Sequence, residues 1–426
     1  MLDRIEIHNY KSLRRVRLDR LPPFAVMVGA NASGKSNFAD ALHFLSLVFG
    51  TNLSAAVRAK GGYENLCFRR VRRSKLGLHF TITAQVTGAA PQSRGGVGKA
   101  GQEFICTYQF GFRATTQAIA AQYRVTEENL TVSTCDAGQS EPVLQFRRYP
   151  SLVFQGSNPP ERSFGAWPSL EFIERMLKPT RVPDDELLIA ATLSFFSPVS
   201  DLWDLMRACR IHQFWPQVAR QTGVPERSPE LGRSGENLPA ALDYVQRSDP
   251  QAFAELVANL QHTVPTIEGL ETQYVETKQL GLFFKERGVA RRWFSLDMSD
   301  GTIQTVSLFL ALADKRVKVL VIEEPENSLH PWILRHFMDV CREKSREKQI
   351  VITTQSPVAV NSVQPEALFL VRRVNGETSI TRCSDIHPEA VDAVKANLLG
   401  LGDYWDSGAI GAVPSQQPGL FETEDL

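Results

Sequence analysis

The sequence predicts an α/β fold in which helices cover a parallel sheet, and two observations support this prediction. Residues 24–28 form an apolar run, followed by a glycine-rich loop and a helical pattern with Phe38, Leu42 and Leu45 on one face. From residue 299 on, helical and strand-like patterns alternate. Because parallel strands need a crossover connection, usually a helix, this alternation favours a parallel sheet. The predicted elements of this region are helices 301–313 and 331–343 and strands 317–322, 349–354 and 367–371.

The loop after the first strand reads Gly-Ala-Asn-Ala-Ser-Gly-Lys-Ser and fits the pattern G-x-x-x-x-G-K-[ST] without a mismatch. Glycines let the backbone wrap around a phosphate chain, while loop N–H groups and the helix N-terminus face its negative charge. We expect Lys35 to reach the β- and γ-phosphates of a nucleotide and the Ser36 hydroxyl to bind Mg²⁺. The alternative is a Gly/Ser turn with a solvated lysine. The predicted nucleotide-binding residues are Gly29, Asn31, Ala32, Ser33, Gly34, Lys35, Ser36 and Asn37.

A second apolar strand delivers two carboxylates. Residues 319–322 read Val-Leu-Val-Ile and lead directly into Glu323 and Glu324. A buried strand that brings two acids to a phosphate loop is the Walker B arrangement, in which one acid holds Mg²⁺ and the next polarises the attacking water. We assign Glu323 to the metal and Glu324 to the water. The alternative is a surface strand end whose acids cap the following helix.

Two further segments lie in order around this strand. Residues 299–302, Ser-Asp-Gly-Thr, precede a helical pattern and form a second small-residue helix N-terminus suited to a phosphate. Residues 351–357 form a strand that ends in polar side chains, including Gln355.

Composition and charge exclude several classes of protein. The chain has 426 residues, is 43% hydrophobic and 22% charged, and has no formal net charge, which is typical of a soluble globular protein. Six cysteines are scattered without a C-x-x-C pair, so no disulfide or zinc framework is expected and a cytoplasmic location fits. The apolar runs are too short for a membrane span, so no membrane association is expected.

The patterns divide the chain into four predicted parts. Residues 1–164 form an N-terminal lobe with the phosphate loop and several short strands. Residues 165–290 form a compact helical insertion, because prolines punctuate the helical patterns and no heptads are sustained. Residues 291–410 form the C-terminal lobe, and residues 411–426 form a disordered tail rich in Pro, Gln and Glu.

A basic run follows the N-terminal helices. It is a candidate contact for the phosphate backbone of DNA. A solvated hairpin, or a patch that faces the acidic C-terminal lobe, explains it equally simply. The run consists of Arg69, Arg70, Arg72, Arg73 and Lys75.

The ordered motifs resemble those of ABC-type ATPase heads of the RecF, SMC and OLD-nuclease group, including stand-alone bacterial members known only as AAA family ATPases. The resemblance covers the opening strand at residues 5–13, the signature at 298–302 and the Walker B strand and D-loop at 323–331. Residues 235–238 and 401–405 are similar to stretches of the stand-alone members. The resemblance implies a P-loop ATPase fold, ATP and Mg²⁺ as cofactors, and slow hydrolysis with Glu324 and Gln355 as catalytic residues.

The same resemblance implies an ATP-sandwich homodimer, in which Ser299 and Gly301 of one subunit contact the ATP that the other subunit holds. Glu323 stands where aspartate is more common, and Gln355 stands at a switch position that is often histidine. An amide can donate to a γ-phosphate but does not titrate, so a proton-handling role is not expected there. The family's Q-loop glutamine has three candidates in this sequence, which are Gln85, Gln109 and Gln155.

Three cellular roles agree with the resemblance. The first is the ATPase half of a bacterial anti-phage defence or toxin system, which controls a separately encoded effector such as a Toprim nuclease or a toxin. A separate effector is expected because the sequence runs only about 30 residues past Gly400, whereas OLD relatives carry their nuclease after the ATPase. The second role is a RecF-like DNA repair ATPase, and the third is a scaffold that does not hydrolyse ATP.

Overall fold

The computed structural model describes most of the chain. The described residues are 1–68, 76–87, 103–115, 122–136, 139–149, 153–155, 175, 182–189, 198–276, 278–388, 392 and 400–408. The predicted basic run at 69–75 and the predicted tail at 411–426 lie outside these residues, as does much of the first third of the predicted helical insertion.

The described residues contain sixteen strands and twelve α-helices. The strands are β1 Leu2–Tyr10, β2 Leu13–Leu18, β3 Phe24–Val28, β4 Leu78–Thr87, β5 Glu103–Ala114, β6 Tyr123–Asp136, β7 Gln139–Arg147, β8 Val153–Gln155, β9 Cys209–His212, β10 Ile267–Tyr274, β11 Leu280–Glu286, β12 Trp293–Phe294, β13 Val319–Glu323, β14 Gln349–Thr354, β15 Leu368–Val374 and β16 Glu377–Arg382. The helices are α1 Lys35–Gly50, α2 Leu53–Ala59, α3 Tyr63–Leu66, α4 Val199–Arg207, α5 Pro216–Ala219, α6 Leu238–Ser248, α7 Pro250–Thr263, α8 Asp300–Ala313, α9 Pro331–Lys344, α10 Pro357–Val360, α11 Cys383–Ile386 and α12 Leu401–Asp406.

A six-stranded sheet, in the order β16-β15-β3-β14-β13-β9, forms the centre of the fold. Its five strands from β15 to β9 are mutually parallel, and only β16 at one edge is antiparallel. This arrangement confirms the predicted fold class. Because parallel strands end at the same edge, the loop after β3 and the ends of β13 and β14 meet there, and β14 lies between the other two.

The second sheet is antiparallel, seven-stranded and ordered β2-β1-β4-β5-β6-β7-β8. Helix α1 packs between the two sheets, which explains why most of its residues are buried. The ring of Phe44 on α1 lies 5.8 Å from Tyr10 of β1 and 5.4 Å from Phe80 of β4. Aromatic burial of this kind is a large part of core stability. The helix that starts at the phosphate loop is therefore held on both sides.

Alternate side chains of the central strands enter two different cores. Ala25 and Met27 of β3 face the core that contains α1 and the second sheet, whereas Val26 and Val28 face the opposite core. The opposite core is formed with helices α6 to α9 and with a small sheet, β10-β11-β12. Burial on both faces is the reason for the continuous apolar composition of these strands.

Part of the predicted insertion 165–290 belongs to the central sheet. Strand β9 pairs in parallel with β13, with Val319 opposite Cys209 and Ile322 opposite His212. The remaining described part of the segment consists mainly of α5, α6, α7 and the small sheet. The boundaries of the four predicted parts stay a prediction.

A buried carboxylate fastens one segment to the second sheet. Glu128 of β6 has no exposed surface and accepts hydrogen bonds from the backbone N–H groups of Leu188 at 2.9 Å and Ile189 at 2.8 Å. The Tyr108 hydroxyl donates to it at 3.0 Å and the Arg148 guanidinium at 3.3 Å. Burial raises the pKa of Glu128, and these donors act in the opposite direction. We call these five residues the Glu128 clamp.

Three further observations concern the described part of the chain. None of its helices is long and apolar enough to cross a bilayer. Cys67, Cys106, Cys209, Cys341 and Cys383 are buried. The described residues contain no cluster of three or more metal-ligating His, Cys, Asp or Glu side chains.

Candidate functional site

The phosphate loop has the backbone geometry that its glycines permit. Gly34 caps the N-terminus of α1 with φ at 111°, in the left-handed region that favours glycine. A Cβ at Gly34 would lie 2.0 Å from Thr378 Oγ1, and a Cβ at Gly29 would lie 2.2 Å from the carbonyl oxygen of Val371. Larger residues are therefore excluded at both glycines, and strands β15 and β16 are what exclude them.

Hydroxyl and amide groups from distant segments support this loop. Thr378 Oγ1 donates to the carbonyl oxygen of Ser33 at 2.9 Å and lies 2.7 Å from Ser12 Oγ. Asn37 Nδ2 donates to the same Ser12 hydroxyl at 2.6 Å. Asn37, predicted as a nucleotide ligand, thus also fixes the turn between β1 and β2. Ser33 Oγ is buried and has no hydrogen-bond partner among the described residues.

Lys35 lies beneath the loop and is almost fully buried. Its Nζ donates to the carbonyl oxygens of Gly29 at 2.6 Å and Ala30 at 3.1 Å. Burial lowers the pKa of Lys35, and the carboxylates of Glu324, Glu326 and Glu323 oppose this shift. The ammonium group is therefore placed at the loop, with three acids near enough to act on it. Ser36, the next residue, is exposed at the start of α1.

Glu323 ends β13 and is only 1% exposed. Its Oε1 accepts a hydrogen bond from the Arg233 guanidinium at 2.7 Å, while its Oε2 has no partner among the described residues. Thr353 lies opposite it on β14, and the Thr353 hydroxyl is also buried without a described partner. Unpartnered oxygens at the end of a buried strand are suitable ligands for a hydrated Mg²⁺ ion. Glu323 therefore has an oxygen that could serve the predicted metal role, and the assignment of Glu323 and Ser36 to the metal stays a prediction.

Glu324 leaves the strand in an unusual conformation. Its φ is 47°, in the left-handed region, and its N–H donates to the carbonyl oxygen of Thr353 at 2.8 Å. Such strain in a non-glycine residue is often found at functional sites. Gln355 Nε2 donates to Glu324 Oε1 at 3.0 Å and to Asn31 Oδ1 at 2.7 Å. One amide group therefore joins the phosphate loop, the Walker B acid and the end of β14.

Glu326 positions Gln355 through a hydrogen bond to its backbone N–H. Its Oε1 accepts from the backbone N–H of Gln355 at 2.7 Å and from the Thr354 hydroxyl at 2.8 Å. Burial raises the pKa of Glu326, and these two donors act in the opposite direction. The D-loop that follows Walker B is thereby attached to the strand that carries Gln355.

The signature segment begins α8. Ser299 is its N-cap and accepts a hydrogen bond from the Thr302 N–H at 3.2 Å. Asp300 forms an ion pair with Arg220. A Cβ at Gly301 would lie 2.8 Å from the carbonyl oxygen of Ser328, so the signature packs tightly against the D-loop. The described polar contacts of these side chains are thus made within α8, with Gln217 of α5 and with Arg220 directly after α5, and not with the phosphate loop.

A cavity of about 590 Å³ opens beside the phosphate loop. The turn between β1 and β2 contributes Lys11 and Ser12 to its wall, and α1 contributes Asn37. Phe68 and Arg373 line the cavity as well. Its size and its mixture of cationic, amide and aromatic groups suit the sugar and base of a nucleotide.

The structure separates the three candidates for the Q-loop glutamine from the site. Gln85 and Gln109 belong to β4 and β5 of the second sheet, and Gln155 belongs to β8 of the same sheet. Gln213 instead follows β9, next to the Walker B strand, at the edge where Glu323 lies. Gln213 is therefore a fourth candidate, and the four-residue strand before it is too short to give a clear signal in the sequence.

The structure thus brings Asn31, Gln355 and Glu324 into one connected group. Lys35 is bonded to the loop carbonyls, and Glu323 lies at the end of the Walker B strand. Ser299 and Gly301 form a separate surface with the D-loop. The contact of Arg233 with Glu323 was not predicted from the sequence, although Arg233 directly precedes the Ser-Gly-Glu-Asn-Leu stretch at residues 234–238.

This fold and this site define a P-loop ATPase head of the ABC type. The family described as "AAA domain, putative AbiEii toxin, Type IV TA system" matches residues 24–361, and the chain belongs to this family. The match covers the phosphate loop, the signature, the Walker B strand and Gln355.

Individual relatives are more distant. The chain is 29% identical over 84 residues to the DNA replication and repair protein RecF of Lactobacillus acidophilus. The matched segment is 19% of this chain and 22% of that relative, so the chain spans about a fifth of the relative's length. It is also similar to an SMC head bound to the C-winged helix domain of ScpA, with 14% identity, 89% of this chain and 96% of that chain covered, and a TM-score of 0.47. The SMC head domain from Thermotoga maritima is 13% identical, with 89% of this chain and 98% of that chain covered and a TM-score of 0.41.

Proposed function

We propose that this protein binds and slowly hydrolyses Mg-ATP in an ATP-sandwich homodimer, and that the dimer controls a partner effector. The observation that carries the proposal is the connected group Asn31, Gln355 and Glu324, which links the phosphate loop to a strained Walker B acid. Catalysis in such sites depends mainly on positioning and on electrostatic stabilisation of the transferred phosphoryl group.

Each residue of the group then has a defined task. Lys35 and the loop N–H groups neutralise the phosphates, and Ser36 with Glu323 would hold Mg²⁺, which supplies charge stabilisation when bound. Glu324 takes the proton of the attacking water, and Gln355 orients the Glu324 carboxylate from 3.0 Å.

The signature surface supports the dimer. Ser299 presents a helix N-terminus, and its described contacts lie within its own helix. Nearby, Leu296 is 46% exposed and Trp215 is 57% exposed. The Leu296 carbonyl accepts from Arg220, which also binds Asp300, so this apolar surface adjoins the signature. Exposed apolar side chains beside an anion-binding helix end are suited to a second copy that presents its ATP.

A mixing experiment tests the composite site. Lys35→Ala should abolish nucleotide binding, whereas Ser299→Asp keeps a good helix cap but sets a negative charge against the partner's γ-phosphate. Each variant alone is expected to lose about 90% or more of its ATPase activity, since one interaction of this kind contributes tenfold or more. A mixture of the two should regain activity, because a heterodimer contains one intact composite site.

We would measure the steady-state ATPase rate of the mixture and divide it by the sum of the rates of the two separate variants. Lys35→Ala mixed with Ser248→Asp, an exposed helix end, provides the control. If Ser299→Asp alone keeps full activity, the signature does not act in the other subunit's site.

The effector is proposed from the family, whose description names a toxin and a type IV toxin–antitoxin system. We therefore favour a partner protein such as a Toprim nuclease or a toxin in an anti-phage defence system. A RecF-like repair ATPase that binds DNA is the second candidate, because the 84-residue match is to a DNA replication and repair protein. The basic run at residues 69–75 would be its contact.

Purification of a tagged, ATP-trapped Glu324→Gln protein from its native host separates these roles. If the protein binds and controls an effector, mass spectrometry should find a small effector protein in stoichiometric amount. Recovery of DNA together with repair proteins, and loss of that DNA on charge reversal at Arg72 and Arg73, would instead support the second candidate. The wild-type protein in EDTA is the control, because it should not hold the ATP-bound state.

A further inference from the structure

Arg233 places a positive charge on the carboxylate to which the proposed function assigns magnesium. Its guanidinium donates to Glu323 Oε1 at 2.7 Å. The Glu323 side chain is 1% exposed, whereas the Arg233 side chain is 36% exposed. The arginine therefore reaches a buried acid from the solvent boundary and has free space into which it can withdraw.

The backbone around Arg233 is fastened to the same sheet edge. Gln213 donates its N–H to the carbonyl oxygen of Arg233 at 2.9 Å, and Trp215 donates to that of Ser234 at 3.2 Å. Gly235 turns the chain with φ at 87°. Because Gln213 directly follows β9, the neighbour of β13, the loop holds Arg233 beside the Walker B strand.

A second acid lies within reach of the same guanidinium. Arg233 is 3.9 Å from Asp40 Oδ1, and Asp40 also pairs with Lys11 and Lys60 and accepts from the Tyr10 hydroxyl at 2.7 Å. Asp40 lies on α1, one turn beyond Lys35 and Ser36. Arg233 thus lies between an acid of the phosphate-loop helix and the acid of the Walker B strand.

A buried carboxylate needs a counter-charge. Arg233 forms the described ion pair with Glu323, and Lys35 also interacts electrostatically with this carboxylate. A magnesium ion at Glu323 would place two further positive charges beside the guanidinium, and like charges at such distances repel. Binding of the metal at Glu323 therefore weakens the ion pair between Arg233 and Glu323, while Asp40 remains available as an ion-pair partner of Arg233.

We propose that Arg233 is a positioning residue that holds Glu323 while magnesium is absent and withdraws toward Asp40 when magnesium and nucleotide bind. This inference rests on the proposed assignment of Glu323 to the metal. It makes the loop at residues 228–237 the element that responds to metal and nucleotide, and it makes Arg233 a determinant of the magnesium requirement.

The test is a magnesium titration of nucleotide binding, followed with a fluorescent ATP analogue on the full-length protein. Arg233→Gln should lower the Mg²⁺ concentration for half-maximal binding about tenfold, because a competitor is removed. Arg233→Lys, which keeps the charge, should lie close to the wild type. Arg247→Gln is the matched control, since Arg247 is an exposed arginine paired with Asp243 at 2.8 Å.

A second readout does not depend on binding of the analogue. The melting temperature of Arg233→Gln should fall in EDTA, because Glu323 loses its counter-charge, and the rise on adding Mg-ATP should exceed that of the wild type. In a Glu323→Gln background, Arg233→Gln should lower the melting temperature in EDTA by less than it does in the wild type, because only the contact with Asp40 is then lost.

The outcomes separate this inference from the proposed function. Two results would overturn the inference alone. One is that Arg233→Gln needs the same or a higher Mg²⁺ concentration for half-maximal binding than the wild type. The other is that Arg233→Gln lowers the melting temperature equally in EDTA and in Mg-ATP. Analogue binding by the wild type that does not depend on Mg²⁺ would overturn the assignment of Glu323 to the metal, and this inference with it.

Discussion

Replacement of Glu324 by glutamine is expected to slow ATP hydrolysis about 100- to 10,000-fold while nucleotide binding persists. Glutamine cannot take a proton from the attacking water, yet it keeps the shape of the side chain and one acceptor oxygen. The contact with Gln355 Nε2, now 3.0 Å, can therefore remain, and with it the link to Asn31. Phosphate release at steady state measures the rate, and a fluorescent ATP analogue measures binding.

The same variant should accumulate as a dimer in Mg-ATP, since hydrolysis is the step that we expect to separate the heads. Light scattering after size-exclusion chromatography distinguishes the two states. Glu347→Gln, at an exposed acid, is the matched control and should behave as the wild type. A Glu324→Gln protein that binds Mg-ATP but stays monomeric would reject nucleotide-driven dimerisation, and one that hydrolyses ATP normally would reject the role of Glu324.

The second large effect concerns stability. Glu128→Ala should lower the free energy of unfolding by about 3–5 kcal/mol, because it leaves Arg148 and two buried N–H groups without their acceptor. Arg148 would keep its bond to the carbonyl oxygen of Glu186 at 2.6 Å, but this contact does not neutralise its charge. Glu128→Gln should lose less, because its amide oxygen can still accept from Leu188 or Ile189. Urea unfolding followed by circular dichroism measures both losses.

Glu103→Ala is the control for the Glu128 clamp, since Glu103 is an exposed acid on the neighbouring strand β5. It should change the unfolding free energy by less than about 0.5 kcal/mol. If Glu128→Ala unfolds at the same urea concentration as Glu103→Ala, the clamp contributes no net stability, and its buried acid has another purpose.

Local patterns were sufficient to predict the elements that carry the motifs. The predicted strand 349–354 is found as β14 Gln349–Thr354, and the predicted helix 301–313 is found as α8 Asp300–Ala313. The helix begins at a clear signal, the N-cap Ser299, and the strand is an apolar run that ends at the polar residues after Thr354. The phosphate loop was predictable for the same reason, because its strand, glycines and helix are consecutive.

Strand β9 shows where local patterns were insufficient. It lies within the predicted helical insertion 165–290, but α4 ends at Arg207 and residues 209–212 form a strand. Only four residues pair, two of them polar, and their partner is β13, more than 100 residues later. Long-range pairing of this kind overrides local propensity. The contact between Arg233 and Glu323 was unpredictable for the same reason, since it joins residues 90 positions apart.

The tight packing at Gly301 has a consequence for communication between two ATP molecules. The carbonyl of Ser328 leaves no room for a methyl group at Gly301. Because the two segments are so closely packed, we expect the signature helix and the D-loop of one subunit to move together. In a two-fold symmetric dimer, the signature would contact the nucleotide of the other subunit, while the D-loop remains attached through Glu326 to its own Gln355. Binding of ATP at one site would then raise the affinity of the other site for ATP. The ATP saturation curve of the dimer should therefore be sigmoidal, with a Hill coefficient above one.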